Sequence, residues 1–302
     1  MKSTGNKELK TGIIKDEHIN DYHGNDSLSS SKLKTFISTP RLFHGTHVTK
    51  EFPSTFDVEI GKLGNAFHCL SLEGVAKYNE EYKVLPDDAP REPTQLMRDR
   101  YFSGKGKPAE NERVDFWDNW DQDARCNLKP EQDALCKTML TSVLAHTTAT
   151  QMIASGEPEV GFRTKRDGLY LQCRADCLID KGDHYEILDV KTTGSSLEKA
   201  SNAIFDYRYD VQAAFYSKII QEVTSKPVTK FTFLFVEKKP PHQCQLVTVS
   251  GAVLQNAMKV VDATLDRIFE CYASGVWPKP ASEVNFEDIA TVYQLRDLGV
   301  EV

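Results

Sequence analysis

The 302-residue sequence has no apolar run approaching the ~20 residues that span a bilayer. Residues 1–25 are polar and lack the apolar centre of a signal peptide. A soluble, cytoplasmic protein with no membrane role is the expectation. The seven cysteines (Cys69, Cys126, Cys136, Cys173, Cys177, Cys244 and Cys271) contain no C-x-x-C pair. Their odd number and scattered spacing argue against a disulfide framework, and there is no second pair to complete a zinc site. There is no internal repeat and no low-complexity tract. An excess of basic charge is also missing, since the net charge is -7. That weighs against a nucleic-acid partner without excluding one, because a local basic channel can sit on an acidic body.

What is present is globular. Hydrophobic residues make up 40% and charged residues 27%, enough for one large domain or one domain with a small appendage. Residues 1–27 read as a flexible arm, 28–280 as one domain and 281–302 as a C-terminal tail. A short helix fits Ser29 to Thr39, with serine caps at its start and Pro40 at its stop. A second helix fits 61–75, with Leu63, Phe67 and Leu70 on one face. Residues 85–130 are rich in proline, glycine and charge and read as a long irregular segment tacked down by Trp117 and Trp120. An amphipathic helix is expected from Pro130 to Ile153.

The pattern then turns to strands at 158–166, 168–179 and 184–191. Asp167-Gly168 is a tight-turn signal between the first two. A helix over Ser196–Val223, strands at 230–236 and 243–249, and a helix over 254–273 complete the order. This is an α/β fold with a mixed central sheet flanked by helices.

In the 184–191 strand, Ile187, Asp189 and Lys191 share one face and Leu188 and Val190 the other. In the strand before it, Leu169, Leu171, Cys173, Cys177 and Ile179 form an apolar face, opposite Gln172, Arg174 and Asp176. Hairpin pairing would bring Asp176 to Asp189. Two converging carboxylates repel unless a cation lies between them. Hard oxygen ligands suit Mg²⁺, which takes one or two carboxylates plus water and substrate phosphate. Such an ion activates water and clamps a phosphate, with Lys191 placed to orient the water or neutralise charge at phosphorus. A strand-end salt bridge would account for the Asp–Lys pair as well, and D-x-K alone is a weak signal.

Cys173-Arg-Ala-Asp176 followed by Ile187-Leu-Asp-Val-Lys-Thr-Thr193 resembles the second and third motifs of the PD-(D/E)XK nuclease superfamily. Ala175 stands where that superfamily carries its name-giving proline. Asp210-Val-Gln-Ala-Ala-Phe-Tyr216 resembles the Q-x-x-x-Y motif of the RecB-like branch, and Gln212 and Tyr216 share a helix face. Ser30-Ser-Lys-Leu33 to Pro40, Leu63-Gly-Asn-Ala-Phe-His68, Glu159, Val236-Glu-Lys-Lys-Pro-Pro241 and Gly275-Val-Trp-Pro278 are similar to landmarks of the phage exonuclease VIII (RecE-type) nuclease domain. They fall in order over Leu28 to Pro278. The segment from Arg91 to Gln132 departs from that pattern.

The resemblance implies an exodeoxyribonuclease that digests linear double-stranded DNA from its ends, 5′ to 3′, with Mg²⁺. It implies a 3′ strand left for recombination by an annealing protein of RecT type, and a ring, typically a tetramer. It implies metal ligands at Asp176, Asp189, His68 and the carbonyl of Val190, with Lys191 catalytic. Glu159 would ligate directly or through water, and Gln212 and Tyr216 would hold the DNA strand or the catalytic strand. Imidazole from His68 would let Mn²⁺ be tolerated. An iron–sulfur cluster of the kind found in some RecB-like relatives is not expected, because only Cys271 lies beyond Cys244. Arg163, Lys165, Arg166 and Arg174 form the basic cluster expected to meet DNA phosphates. A RecB-like nuclease acting on single strands, and an inactive DNA-binding protein on the same fold, are the alternatives.

Overall fold

The computed structural model describes residues 8–15, 17–53 and 58–278. The strands in chain order are β1 (Gly12–Ile14), β2 (Tyr82–Val84), β3 (Cys126–Leu128), β4 (Glu157–Arg166), β5 (Leu169–Asp180), β6 (Tyr185–Thr193), β7 (Val228–Glu237) and β8 (Cys244–Thr248). Six of them form one sheet in the order β1-β4-β5-β6-β7-β8. Only the β6–β7 pair in that sheet is parallel. Its crossover runs through the helices Ala200–Asp206 and Tyr209–Thr224, as a parallel pair requires. The mixed α/β sheet expected from the pattern is present.

Period-two alternation fills both faces. Phe231, Phe233 and Phe235 of β7 and Ile187 of β6 pack against the Tyr209–Thr224 and Gly251–Ser274 helices and the opening helix Ser30–Ser38. Leu188, Val190, Leu234 and Val236 face the other way, toward the Val58–His68 and Pro130–Ala145 helices. Strands covered on both faces carry the near-continuous apolar run seen in 231–236.

Two turns set the register. Asp167 and Gly168 both have positive φ, +49° and +82°, as a two-residue hairpin loop of the primed type requires. From there β4 and β5 pair from Arg166↔Leu169 to Glu157↔Leu178, with one step missing, Glu159 opposite Asp176. After the 181–184 loop, β5 and β6 pair over four steps, from Asp180↔Tyr185 to Cys177↔Leu188. There the two strands part. β5 continues along β4, and β6 continues along β7.

Several expectations need correction. Residues 8–15 and 17–27 are not a loose arm. β1 lies along β4, Tyr22 is buried, and Leu28 exchanges backbone hydrogen bonds with Tyr170 and Gln172. The 85–130 segment holds two helices, Gln95–Phe102 and Pro108–Trp120, framed by the β2–β3 pair. Trp117 does pin it, donating to the Pro90 carbonyl at 2.9 Å, and Trp120 donates to Asn127 at 2.7 Å. The expected 130–153 helix breaks at His146, whose extended backbone and ring nitrogen cap a new helix, Thr147–Ser155. The expected 196–223 helix breaks at Arg208, which sits at φ +52°. The single apolar face expected on β5 switches sides. Leu171 and Cys173 join the first core, whereas Cys177 and Ile179 join the second. The switch falls at the Glu159–Asp176 step, where β4 is left-handed at Glu159. Trp277 of the late motif packs on Phe36, Phe43, His44 and Tyr272, so this segment closes over the opening helix. The tail expected at 281–302 lies outside the described residues.

Gly168 tests the turn. A side chain at φ +82° costs about 1–2 kcal/mol. Gly168→Val should lower the unfolding free energy by about that much in a urea titration, more than Gly168→Asn, which tolerates the conformation.

Candidate active site

The register places three carboxylates in one row across the sheet. Glu159 on β4 lies opposite Asp176 on β5, and Asp176 lies one step beyond the last β5–β6 pair, opposite Asp189 on β6. The row sits at the fork where β5 and β6 separate. Asp176 fills part of the gap, because the Val190 N–H donates to its Oδ2 at 2.9 Å. A side-chain oxygen thus takes the place of a ladder partner. The carbonyl of Val190 leaves β6 on the same edge as its N–H and faces the same fork. Glu159 holds its position at φ +57°, an unfavourable conformation for a long side chain that is tolerated where the surroundings impose it.

Asp189 is fully buried. Its Oδ1 pairs with Lys191, two residues on along the same strand face. Its Oδ2 accepts a hydrogen bond from Gln212 Nε2 at 2.6 Å. Gln212 therefore tethers β6 through Asp189. Tyr216, one turn later, is buried and lines the cleft, with its ring edge-on to Phe231. Burial and the charge of Asp176 push the Asp189 carboxyl up to about 6, against the pull of Lys191. For Lys191, burial disfavours the ammonium, but Asp189 and Asp176 outweigh it and hold its pKa above the ordinary value. The lysine stays charged. Its ammonium also lies over the rings of Tyr209 (5.1 Å) and Phe233 (5.9 Å).

His68 ends the Val58–His68 helix, just before a turn of π-helix, Cys69–Glu73. Such wide turns are frequent at functional positions. His68 Nδ1 lies 3.4 Å from Asp176 Oδ2. One ligand atom each from His68, Glu159 and Asp176 lies within 4.8 Å of the others. These three line a cleft of about 680 Å³, together with Tyr22, Arg174 and Tyr216. Burial first, then Asp176, raises the Glu159 carboxyl to about 7, while Arg174 lowers it.

This donor set fits a divalent cation. Two carboxylates and an imidazole converge, and the mutual repulsion of Glu159 and Asp176 is the kind a bound cation relieves. Oxygen donors suit Mg²⁺ and the imidazole admits Mn²⁺. Of the expected ligands, His68 and Asp176 fall in this cluster, together with Glu159, expected to ligate directly or through water, while the oxygens of Asp189 meet Lys191 and Gln212.

Of the expected phosphate-binding cluster, only Arg174 reaches the cleft, where it pairs with Glu159 at 2.5 Å. Arg163 is 2% exposed. Its guanidinium grips both oxygens of Glu17 (2.8 and 2.9 Å) and donates to Gln172, so it anchors the N-terminal segment rather than meeting DNA. Lys165 and Arg166 lie at the hairpin turn, six and seven residues from Glu159 along β4, roughly 20 Å away at ~3.4 Å per residue. Arg166 pairs there with Asp167 and Asp266. Two side chains near Lys191 escaped the sequence reading, Lys34 and Tyr209. Tyr209 lies about one turn before Gln212, next to the Asp210–Tyr216 motif, and Lys34 lies inside the opening-helix motif, so both were adjacent to recognised signals.

A family model described as "PDDEXK-like domain of unknown function (DUF3799)" matches residues 29–289. The chain belongs to this PDDEXK-like family. Among solved structures, the chain is similar to a candidate exonuclease from Eubacterium rectale, at 14% identity and a TM-score of 0.56 over 90% of this chain and 91% of that one. It also matches a phage-related exonuclease from Haemophilus somnus at 10% identity and a TM-score of 0.32, over 61% of this chain and 91% of the other. No curated protein matches the sequence. The PDDEXK-like fold agrees with the motifs at Asp176, Asp189 and Lys191.

The raised carboxyl of Glu159 has a signed consequence. Its folded pKa of about 7 exceeds the ordinary 4.5, so the folded state binds the extra proton and loses stability as pH rises from 4.5 through 7. Glu159→Gln should therefore stabilise the metal-free protein at pH 8, by on the order of 2 kcal/mol. The gain should vanish below pH 4.5. Paired urea titrations at the two pH values check this.

Proposed function

We propose that this PDDEXK-like chain is a metal-dependent exodeoxyribonuclease that digests linear double-stranded DNA from its ends. One observation carries the reading: the register row Glu159–Asp176–Asp189, with Lys191 charged beside it and His68 closing the trio. Digestion 5′ to 3′, a ring-shaped tetramer, and delivery of the 3′ strand to an annealing protein of RecT type belong to the same proposal. They draw on the motif resemblance, as does the choice of Mg²⁺ with Mn²⁺ accepted.

A divalent cation at His68, Glu159 and Asp176 would supply Lewis acidity to the phosphate and lower the pKa of a bound water. The chain's own groups do the rest. Lys191 faces the reacting phosphate and offsets the negative charge that builds as water adds to phosphorus and the P–O bond breaks. Asp189 fixes the position of that ammonium, and Gln212 fixes Asp189. Arg174 holds Glu159 at the cleft wall. Tyr22 and Tyr216 complete the cleft wall.

Purified protein is incubated with linear and covalently closed duplex DNA in Mg²⁺. Loss of the linear form alone is expected, abolished by EDTA. Lys191→Ala should slow it by at least about 100-fold, the size expected for one transition-state donor. Cutting of the closed circle would make the protein an endonuclease instead. Gln212→Ala should cost about 10- to 100-fold in rate with little change in KM, because it acts through Asp189. A KM effect larger than the rate effect would assign Gln212 to DNA binding.

A further inference from the structure

Lys34 sits on the opening helix and is half-buried. Its ammonium donates to the Tyr207 carbonyl at 3.3 Å and lies 5.3 Å from the centre of the Tyr209 ring. Among the described residues, no carboxylate lies within ion-pair distance of it. The neighbouring cations are engaged: Lys191 with Asp189, and Arg208 with Asp210 at 3.1 Å. An ammonium has three protons to donate, and burying it with one carbonyl and a ring is costly. Burial, followed by the charge of Lys191, pushes its pKa down to about 8, the mark of a cation short of anions.

The surroundings indicate which anion. Lys34 and Lys191 share the Tyr209 ring, each within 5.3 Å of its centre. They lie no farther apart than those two distances together, close enough for nearby phosphates of one strand to meet both. Beside them the 205–209 corner turns outward. The left-handed Arg208 breaks the helix there, and Phe205 and Tyr207 stand 56% and 63% exposed. Large exposed rings interleaved with cations are how proteins hold unpaired nucleic-acid strands, with bases stacked and phosphates neutralised.

We propose that Lys34, Phe205 and Tyr207 form a strand-binding subsite next to the catalytic lysine, in which the ammonium takes a backbone phosphate and the rings stack on unpaired bases. The subsite rests on the nuclease reading above and names its substrate as a frayed or single-stranded end rather than an intact duplex stem.

The test measures binding of a fluorescent single-stranded oligonucleotide in EDTA, across a range of salt, with digestion of linear duplex in Mg²⁺ run in parallel. Lys34→Met keeps the buried stem and removes the charge. It should weaken binding severalfold and reduce the slope of log affinity against log salt by about 0.7, the loss of one phosphate contact. Lys34→Arg should keep both. Tyr207→Ala should weaken binding roughly fivefold to a hundredfold with the slope unchanged, as expected for stacking. Lys259→Ala, at an exposed position on the closing helix, serves as the control and should change neither. If the parent binds and digests DNA while Lys34→Met keeps its affinity and slope, the subsite is wrong and the nuclease reading stands. If the parent binds without digesting, the nuclease reading falls and the slope still decides the subsite. If the parent neither binds nor digests, both fall.

Discussion

Three carboxylates in one row repel one another, and the structure around them exists to keep them there. Glu159, Asp176 and Asp189 are neighbours only because two hairpins are closed in a fixed register. Strand register is discrete: a slip of one residue would send each side chain to the opposite face. The repulsion is then managed locally. Asp176 takes a backbone N–H, Asp189 takes Lys191 and Gln212, and Glu159 takes Arg174. Each acid has a partner, yet burial still leaves Glu159 and Asp189 harder to ionise than usual. The site is poised for a cation at the expense of stability, the trade that functional clusters commonly make.

Much of this was legible in the sequence because it depends on short-range rules. The Asp167-Gly168 turn, the alternation of β5 and β6 and the D-x-K spacing are local, and together they predict that Asp176 meets Asp189. The convergence of His68 and Glu159 came instead from motif resemblance. Glu159 belongs to the row through a left-handed backbone that no residue type at that position signals. The helix breaks at His146 and Arg208 carry neither glycine nor proline. They are marked instead by local side-chain contacts, the His146 ring accepting from the Ala149 N–H and the ion pair between Arg208 and Asp210.

The 85–130 segment was opaque for another reason. Its two helices bury little and are held by polar links, Arg98 with Asp118 and Arg100 with Glu110. A helix stabilised this way shows no apolar stripe for periodicity to find. Expecting residues 1–27 to be an arm and Arg163 to be a DNA contact was, for the described part of that segment, a single error seen twice. A charged residue in mid-strand looks solvent-facing until its partner is known, and that partner, Glu17, lies in the segment judged loose.

That pairing sets where the folding unit begins. The family match opens at residue 29, but the guanidinium of Arg163 is buried in mid-sheet and its countercharge arrives from residue 17. A chain cut at the family boundary would keep the cation and lose the anion, along with β1 and the backbone atoms that Gln172 grips. An uncompensated buried charge of this kind destabilises a protein by about 3–5 kcal/mol, a large share of what a domain has. Glu17 thus supplies a structural countercharge to the domain from a segment that lies outside the family match.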